Sequence, residues 1–474
     1  MKALGNSPIA SFLAGICSLY AFAYFGDGEM PGPRHASAEA PDTRLLLEIG
    51  ASPRAVTLPE RREPPRLRRE PGEEAIPGLE IAIEDLDGRS MDRFHAALAR
   101  AARGEGQARL VFYGASHTAA DLYTGLLRNA LQSRYGDAGP GFVLPVHPWR
   151  RYRHHQLTIE SNGDEWQTLK IGPAPNVLDH YGLAGVAVEA SHVGAWGRII
   201  TPTEGLGSKV SRFELFYLEQ PNGGTFEVLI DDQVVRRIPT AAPERAPGYA
   251  TFDVPEGPHR FEVRIVEEGP VRIFGVAAER DTPGVIVDTL GINGSRARAH
   301  LLWEENLYRE HLQKRKPDLV VLAYGTNESG DDQPISEYEA ELHQVVARVR
   351  SAVPEASCLL IGPSDRPVPL GKNGKDGYSD RPRTREIIEA QWRVALSHGC
   401  GFFDMVAFQG GPLSMVAWNQ IDPPYAAPDH IHFRRRGYER LGEVLLGALL
   451  EGYEDVDATE DDTTPDVRHA AKNK

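Results

Sequence analysis

The sequence predicts an α/β domain interrupted by a β-sandwich, and three observations carry that prediction. Leu110-Val111-Phe112-Tyr113 is a short apolar run that ends at Gly114 and turns helical at Ser116, as a buried strand feeding a helix does. The same strand–helix rhythm returns at Gly284 and continues to Leu450. Between the two, from about Trp149 to Asp281, the pattern is alternating and rich in turns, as half-buried strands require. At 474 residues the chain exceeds one ordinary domain. A domain inserted at a surface loop of another satisfies both the length and the order of patterns.

Residues 1–25 read as an export segment. Lys2 precedes an apolar run from Ile9 to Phe25, and Ala21-Phe22-Ala23 fits a small-x-small cleavage site. A run of this length also approaches what a bilayer span needs, so a cleaved signal peptide and a retained membrane anchor both stand. Residues 26–80 are rich in Pro, Arg, Glu and Ala, with PERREPPRLRREPGEE as the extreme, and read as a disordered tether that cannot bury enough surface to fold. The net charge of −15 and the lack of a basic stripe interleaved with aromatics exclude a nucleic-acid surface.

The first part of the α/β domain is placed at 81–148. Ser90 to Arg103 forms a short helix with Phe94, Leu98 and Ala101 on one side. After the strand at 110–113, Leu122, Leu126, Leu127, Ala130 and Leu131 lie on one helical stripe. The sandwich is placed at 149–283. There Phe213 to Tyr217, Asn222-Gly223-Gly224 and Phe226 to Ile230 read as a hairpin, followed by alternating strands at 260–266 and 271–274. His154 and His155, within RRYRHHQ, read as solvated surface. The second α/β part is placed at 284–452. Val285-Ile286-Val287 is a strand running into the loop 289–295, and Asp318 to Ala323 is a fully apolar strand, as a sheet covered on both faces requires. A helix follows with Ser336 and Glu339 at capping-box spacing and Tyr338, Leu342, Val345, Val346 and Val349 facing inward. Cys358 to Ile361 is the next strand, Ile387 to Leu396 lies in the next helix, Phe402-Phe403 opens another strand, and Tyr438 to Leu450 closes the domain. Residues 453–474 read as an acidic disordered tail. Cys358 and Cys400 both adjoin apolar runs and read as buried free thiols, a disulfide being open to them only in an oxidising compartment. No Cys/His pattern resembles a zinc site.

Three stretches fall at strand ends of one sheet: Gly114-Ala115-Ser116-His117, Gly325-Thr326-Asn327-Glu328 and Asp429-His430-Ile431-His432. A serine hydroxyl is a poor nucleophile at neutral pH and needs a neighbouring base, which an imidazole oriented by a carboxylate supplies. An Asp-x-x-His pair delivers both from one loop. Attack creates an oxyanion, for which the Ser116 amide, the Gly294 amide and the Asn327 side-chain NH2 are candidate donors. Taken singly, Ser116 reads equally as a helix cap, Asp429 as the cap of the closing helix and Asn327 as a turn residue. His430 competes with His432 as the base, although its adjacency to Asp429 gives poor reach. His117, next to Ser116, is a candidate substrate contact.

The order and spacing of these blocks resemble the SGNH hydrolases, a branch of the GDSL family, over about 108–148 and 284–450. That resemblance implies Ser116 as nucleophile, Gly294 in GINGS and Asn327 in YGTNE with the Ser116 amide as the oxyanion hole, and Asp429 and His432 completing the triad. It further implies a flavodoxin-like three-layer domain interrupted by an all-β, jelly-roll-like sandwich. GASHTAAD, GINGS and YGTNE with the β insert are most similar to bacterial peptidoglycan O-acetylesterases, exported proteins whose insert is similar to carbohydrate-binding sandwiches. Expected from this are an O-acetylated glycan as partner, with peptidoglycan the leading candidate, a periplasmic or cell-envelope location, and no metal or organic cofactor. An acetyltransferase on the same scaffold and a noncatalytic glycan-binding protein are the alternative readings. Ala115 replaces the family's Asp of Gly-Asp-Ser, and Glu328 stands where many members have Asp.

Overall fold

The computed structural model describes residues 58–61, 77–171 and 180–453. The export segment at 1–25, most of the tether at 26–80 and nearly all of the tail at 453–474 lie outside the described residues. Among the described residues no helix is long and apolar enough to cross a membrane.

Five strands form one parallel sheet: β1 (Gln107–Gly114), β2 (Gly284–Gly291), β3 (Leu319–Ala323), β4 (Ser357–Ile361) and β5 (Gly401–Phe403). Their spatial order is β2-β1-β3-β4-β5, the flavodoxin-like order, which reverses direction between β1 and β3 and opens a crevice at the carboxyl ends there. Helices that pack on or adjoin this sheet include α1 (Asp92–Ala102), α2 (Ser116–Ala119), α3 (Tyr123–Tyr135), α4 (Glu305–Arg315), α5 (Ile335–Ala352), α6 (Pro382–Ser397) and α7 (Arg435–Leu450). Alternate residues of each strand face opposite sides. Leu110 and Phe112 of β1 pack in a core with residues of α1, α3 and α7, whereas Val111 and Tyr113 pack with residues of α4, α5 and α6. That gives three layers, and it explains why these strands read as continuous apolar runs rather than alternating ones.

The intervening chain builds two antiparallel sheets packed face to face. One carries strands 246–257, 210–219, 271–279, 186–190 and 167–170 in that order, with Gly141–Val143 also paired to 271–279. The other carries 158–161, 196–200, 260–267, 225–230 and 233–239. Val210–Glu219 and Thr225–Ile230 therefore lie in different sheets, and the expected hairpin between them is not formed. The chain at Asn222-Gly223-Gly224 crosses between sheets, because both flanking strands bury most of one face against the sandwich core and find their partners elsewhere. The sandwich core is continuous with the α4–α6 side of the parallel sheet, so the insert is fused to the domain it interrupts.

Other local expectations are also revised. The helix after Ser116 is broken: α2 ends at Ala119, Asp121 takes a left-handed backbone (φ 45°), and α3 starts afresh at Tyr123. The side of α3 that is buried includes Thr124 and Arg128, while Leu122, Leu126 and Ala130 are only partly covered. Helix α5 starts at Ile335 without a side-chain cap, and Glu339 pairs with Arg393 of α6 rather than closing a capping box. Cys358 and Cys400 are joined in a disulfide, not left as free thiols. The strand order explains this, since β4 and β5 are neighbours and bring the two Cα atoms within 4.7 Å, a separation that suits the bond. His154 is buried, not solvated, and its ring accepts from the Gln156 amide; His155 alone is exposed.

Candidate active site

Ser116 sits where β1 stops. Two glycines allow the start of α2 to rest directly on the strand tips. A Cβ at Gly114 would fall 2.2 Å from Thr118 Oγ1, and one at Gly291, the end of β2, would fall 2.1 Å from the Ala119 amide nitrogen. Ala115 is the N-cap and Ser116 the first helical residue, and no side chain caps the helix. The serine hydroxyl is thus free for other work. Ala115 is buried in the apolar core, so at this position the packing is served by a methyl group where the family carries a carboxylate.

Just beyond, Asp121 fastens this segment. Its buried carboxylate accepts from Arg128 (3.1 and 3.2 Å), Thr124 (2.8 Å), Thr289 (2.8 Å) and the His155 backbone amide (2.6 Å). Burial pushes this carboxyl up, but the fully buried Arg128 guanidinium holds it well below the usual range. One side chain therefore ties the helix of Ser116 to α3, to β2 and to the start of the insert. The sequence displayed Asp121 at the end of GASHTAAD, but nothing in its spacing marked it as buried.

The loop before α7 supplies the other half. His432 Nε2 lies 2.8 Å from Ser116 Oγ, and His432 Nδ1 lies 2.8 Å from Asp429 Oδ2. Asp429 Oδ1 also accepts from the Ile431 and His432 amides, at 3.0 Å each. Burial alone would raise the Asp429 carboxyl, but these hydrogen bonds outweigh it and hold the group below its ordinary value. Asp429 does not cap α7, whose N-cap is Arg434. His430 points elsewhere: its backbone is left-handed (φ 54°) and its ring packs at a tilt against Tyr378, 4.4 Å between centroids. The local turn that closes Asp429 onto His432 thus sends His430 away from Ser116, and the choice between the two histidines is made by the backbone.

Asn327 and the loop carrying Gly294 are also brought together. Asn327 Nδ2 donates to the Ser295 carbonyl at 2.8 Å, and the Ile292 amide donates to the Gly114 carbonyl at 2.9 Å, which seats the loop beside the serine. Gly294 is exposed and left-handed (φ 77°), a conformation that side-chain-bearing residues rarely take. Glu328 is buried and accepts from the Ala297 amide (2.8 Å) and the Gly325 amide (3.0 Å), so its longer side chain bridges the asparagine turn to the segment after Gly294. Burial raises its carboxyl above the ordinary value.

His117 is not a surface contact. It lies against His432, 5.5 Å between ring centroids, and is only 6% exposed, with Nδ1 3.1 Å from the Tyr438 hydroxyl and Nε2 3.1 Å from Ser364 Oγ. Burial pushes its imidazole down to about 3, so it stays neutral. Ser364 in turn meets Thr326 Oγ1 at 3.2 Å, and its backbone amide donates to that same oxygen at 3.0 Å. This chain of contacts runs from the serine block to the asparagine block, and no spacing rule in the sequence pointed to Ser364. Among the described residues no cluster of three or more His, Cys, Asp or Glu side chains could hold a metal ion.

An imidazole oriented by a carboxylate and hydrogen-bonded to a serine hydroxyl can perform acyl transfer through a covalent intermediate. Comparison with known proteins bears on this. The GDSL-like lipase/acylhydrolase family model matches residues 267–440. A solved structure of a peptidoglycan O-acetylesterase is similar over 78% of this chain and 99% of its own, at 25% identity and a TM-score of 0.65. A family two carbohydrate esterase from Clostridium thermocellum covers 63% of this chain and 99% of its own, at 13% identity and a TM-score of 0.25, too low to bear on function. No curated protein sequence matches.

Proposed function

We propose that this serine esterase, which carries an SGNH hydrolase domain of the GDSL-like lipase/acylhydrolase family, is exported and removes O-acetyl groups from a cell-envelope polysaccharide, with O-acetylated peptidoglycan as its substrate. The observation that carries the reading is the unbroken line Asp429–His432–Ser116, with 2.8 Å at both junctions. Ser116 Oγ attacks the acetyl carbonyl carbon while His432 Nε2 takes the hydroxyl proton. Asp429 keeps the other ring proton on Nδ1 and stabilises the imidazolium. The Ser116 and Gly294 amides and the Asn327 side chain hold the oxyanion. Collapse expels the sugar hydroxyl, which receives the proton from His432. Water, activated by the same imidazole, then attacks the acetyl-enzyme and releases acetate.

The Cys358–Cys400 disulfide supports export, since such bonds persist in oxidising compartments. The apolar segment within 1–25 is the address in this reading, as a cleaved signal or an envelope anchor. The substrate assignment draws on the likeness to a peptidoglycan O-acetylesterase over nearly all of that protein's length. The test is acetate release from O-acetylated peptidoglycan by the full chain beside Ser116→Ala. Release by the parent alone is expected. Equal release by both rules out Ser116 as nucleophile, and release from neither, while small acetyl esters are still cleaved through Ser116, moves the enzyme to another glycan.

A further inference from the structure

The loop that presents Gly294 has a second face. Beside it opens a cleft of about 490 Å³, within the range of small-molecule sites, between the sandwich strand Gln167–Lys170 and the short helix Ala297–Leu301. Its wall carries three cations, Lys170, Arg296 and Arg298, against one carboxylate, Glu341. In a chain of net charge −15 this is a local reversal of sign. Arg296 is paired with Asp331 and its Nη1 reaches the Gly294 carbonyl at 3.4 Å, so it is committed to holding the loop. Lys170 and Arg298 are exposed and make no ion pair among the described residues. Two cations without an ion pair among the described residues, and an exposed Leu302, thus stand beside the candidate oxyanion glycine, on opposite banks of one cleft.

We infer that this cleft recognises a carboxylate on the glycan next to the acetylated sugar, so that the enzyme selects an anionic polymer over a neutral one. The inference rests on the esterase reading above and adds the substrate's charge to it. Clefts lined by one sign of charge concentrate ligands of the other. Two exposed cations at this depth each contribute modestly to binding, which together amounts to about tenfold in affinity. Because the cleft borders the Gly294 loop, a carboxylate held there fixes the reacting acetyl group in register with Ser116. The insert then has a role in selection, since Lys170 belongs to it and Arg298 does not.

The experiment compares kcat/KM of the full chain on three O-acetylated substrates: a neutral chitooligosaccharide, a glycan bearing peptide stems with free carboxylates, and a polyuronate. The parent is expected to prefer the carboxylate-bearing substrates, and that preference should shrink as salt is raised, because exposed charges are screened beyond roughly 10 Å at 0.1 M. In Lys170→Gln/Arg298→Gln the preference should fall about tenfold, while Arg298→Lys, which keeps the charge, should retain most of it. A loss confined to the peptide-bearing glycan places the recognised carboxylate on the stem, and a loss on both assigns recognition to any nearby carboxylate. An unchanged preference in the double variant, or no preference in the parent, overturns the inference while leaving the esterase intact. Failure of the parent on all three substrates overturns the glycan reading itself.

Discussion

The two halves of the line Asp429–His432–Ser116 are held by different means. Ser116 stands on buried backbone: Gly114 and Gly291 bring α2 onto the strand tips, and the buried Asp121–Arg128 pair fastens the turn between α2 and α3. Asp429 and His432 are nearly half exposed, at 47% and 40%, and are held mainly by hydrogen bonds within their own four-residue turn. Ser116 is therefore positioned by the fold, and His432 by a loop. Damage to the first region should cost stability and activity together, whereas damage to the second should cost activity alone.

The largest expected effect tests the second half of that statement. His432→Ala removes the base and should lower kcat/KM by about 10⁴-fold, or about 5 kcal/mol of barrier. Its stability in denaturant unfolding should stay within about 0.5 kcal/mol of the parent, as for other surface changes. A large loss of stability would mean that the loop is not autonomous. Asp121→Asn is the complementary change. It leaves the Arg128 charge buried and unpaired, and should cost about 3–5 kcal/mol of stability, with activity falling as Ser116 loses its seat. The pH dependence has a definite sign. Arg128 holds the Asp121 carboxyl below its unfolded value of 3.8, so the stabilisation is present above that pH and is lost as pH falls through the folded value. The variant should lack that acid-side loss.

A smaller effect is expected at the joint between the two regions. Asp365 adjoins Ser364 and accepts from the Met415 amide at 3.0 Å, and burial raises its carboxyl from 3.8 to about 6. The folded state then binds more protons than the unfolded state between those values, so stability declines as pH rises from about 4 to about 6 and stays lowered above. Relative to the parent, Asp365→Asn should gain about 2 kcal/mol between pH 4 and pH 7. A pH-independent difference between the two proteins would mean that Asp365 titrates normally in the fold.

The same division separates the parts of the molecule that were legible in the sequence from those that were not. That the stretches carrying Ser116, Asn327, Asp429 and His432 end up at one edge of the sheet was legible because each sits where an apolar run ends or a helix is about to start, and those boundaries are local. The parallel sheet was legible for the same reason. Partners that depend on which strands become neighbours were not. Cys358 and Cys400 are 42 residues apart, and only the order β4-β5 makes them adjacent. Asn222-Gly223-Gly224 carries a hairpin's local signature, yet the competition between two sheets for the flanking strands sends the chain across the sandwich. Asp121 and Ser364 look like ordinary polar loop residues until burial gives them partners from β2, α3, the insert and the asparagine turn. His154 is a similar case, since a basic neighbourhood says nothing about which single side chain turns inward.

The smallest effect probes the base's loop at its one point of strain. His430 adopts φ 54°, where a non-glycine residue is held at a cost of order 1 kcal/mol. That conformation lets Asp429 Oδ1 reach the Ile431 and His432 amides, so the strain is what closes the turn. His430→Gly relieves the backbone but removes the ring that packs against Tyr378. An aromatic contact of that kind contributes about 0.5–1.5 kcal/mol, nearly the size of the relief. Stability should therefore change by less than about 1 kcal/mol in either direction, and kcat by less than about threefold, since His432 is still oriented by Asp429. Tyr378→Ala separates the two contributions: it removes the ring contact and keeps the strain, and should destabilise the loop more than His430→Gly does. If Tyr378→Ala instead leaves kcat untouched while His430→Gly abolishes it, the imidazole of His430 has a part in the chemistry, and the base is not positioned by its own turn alone.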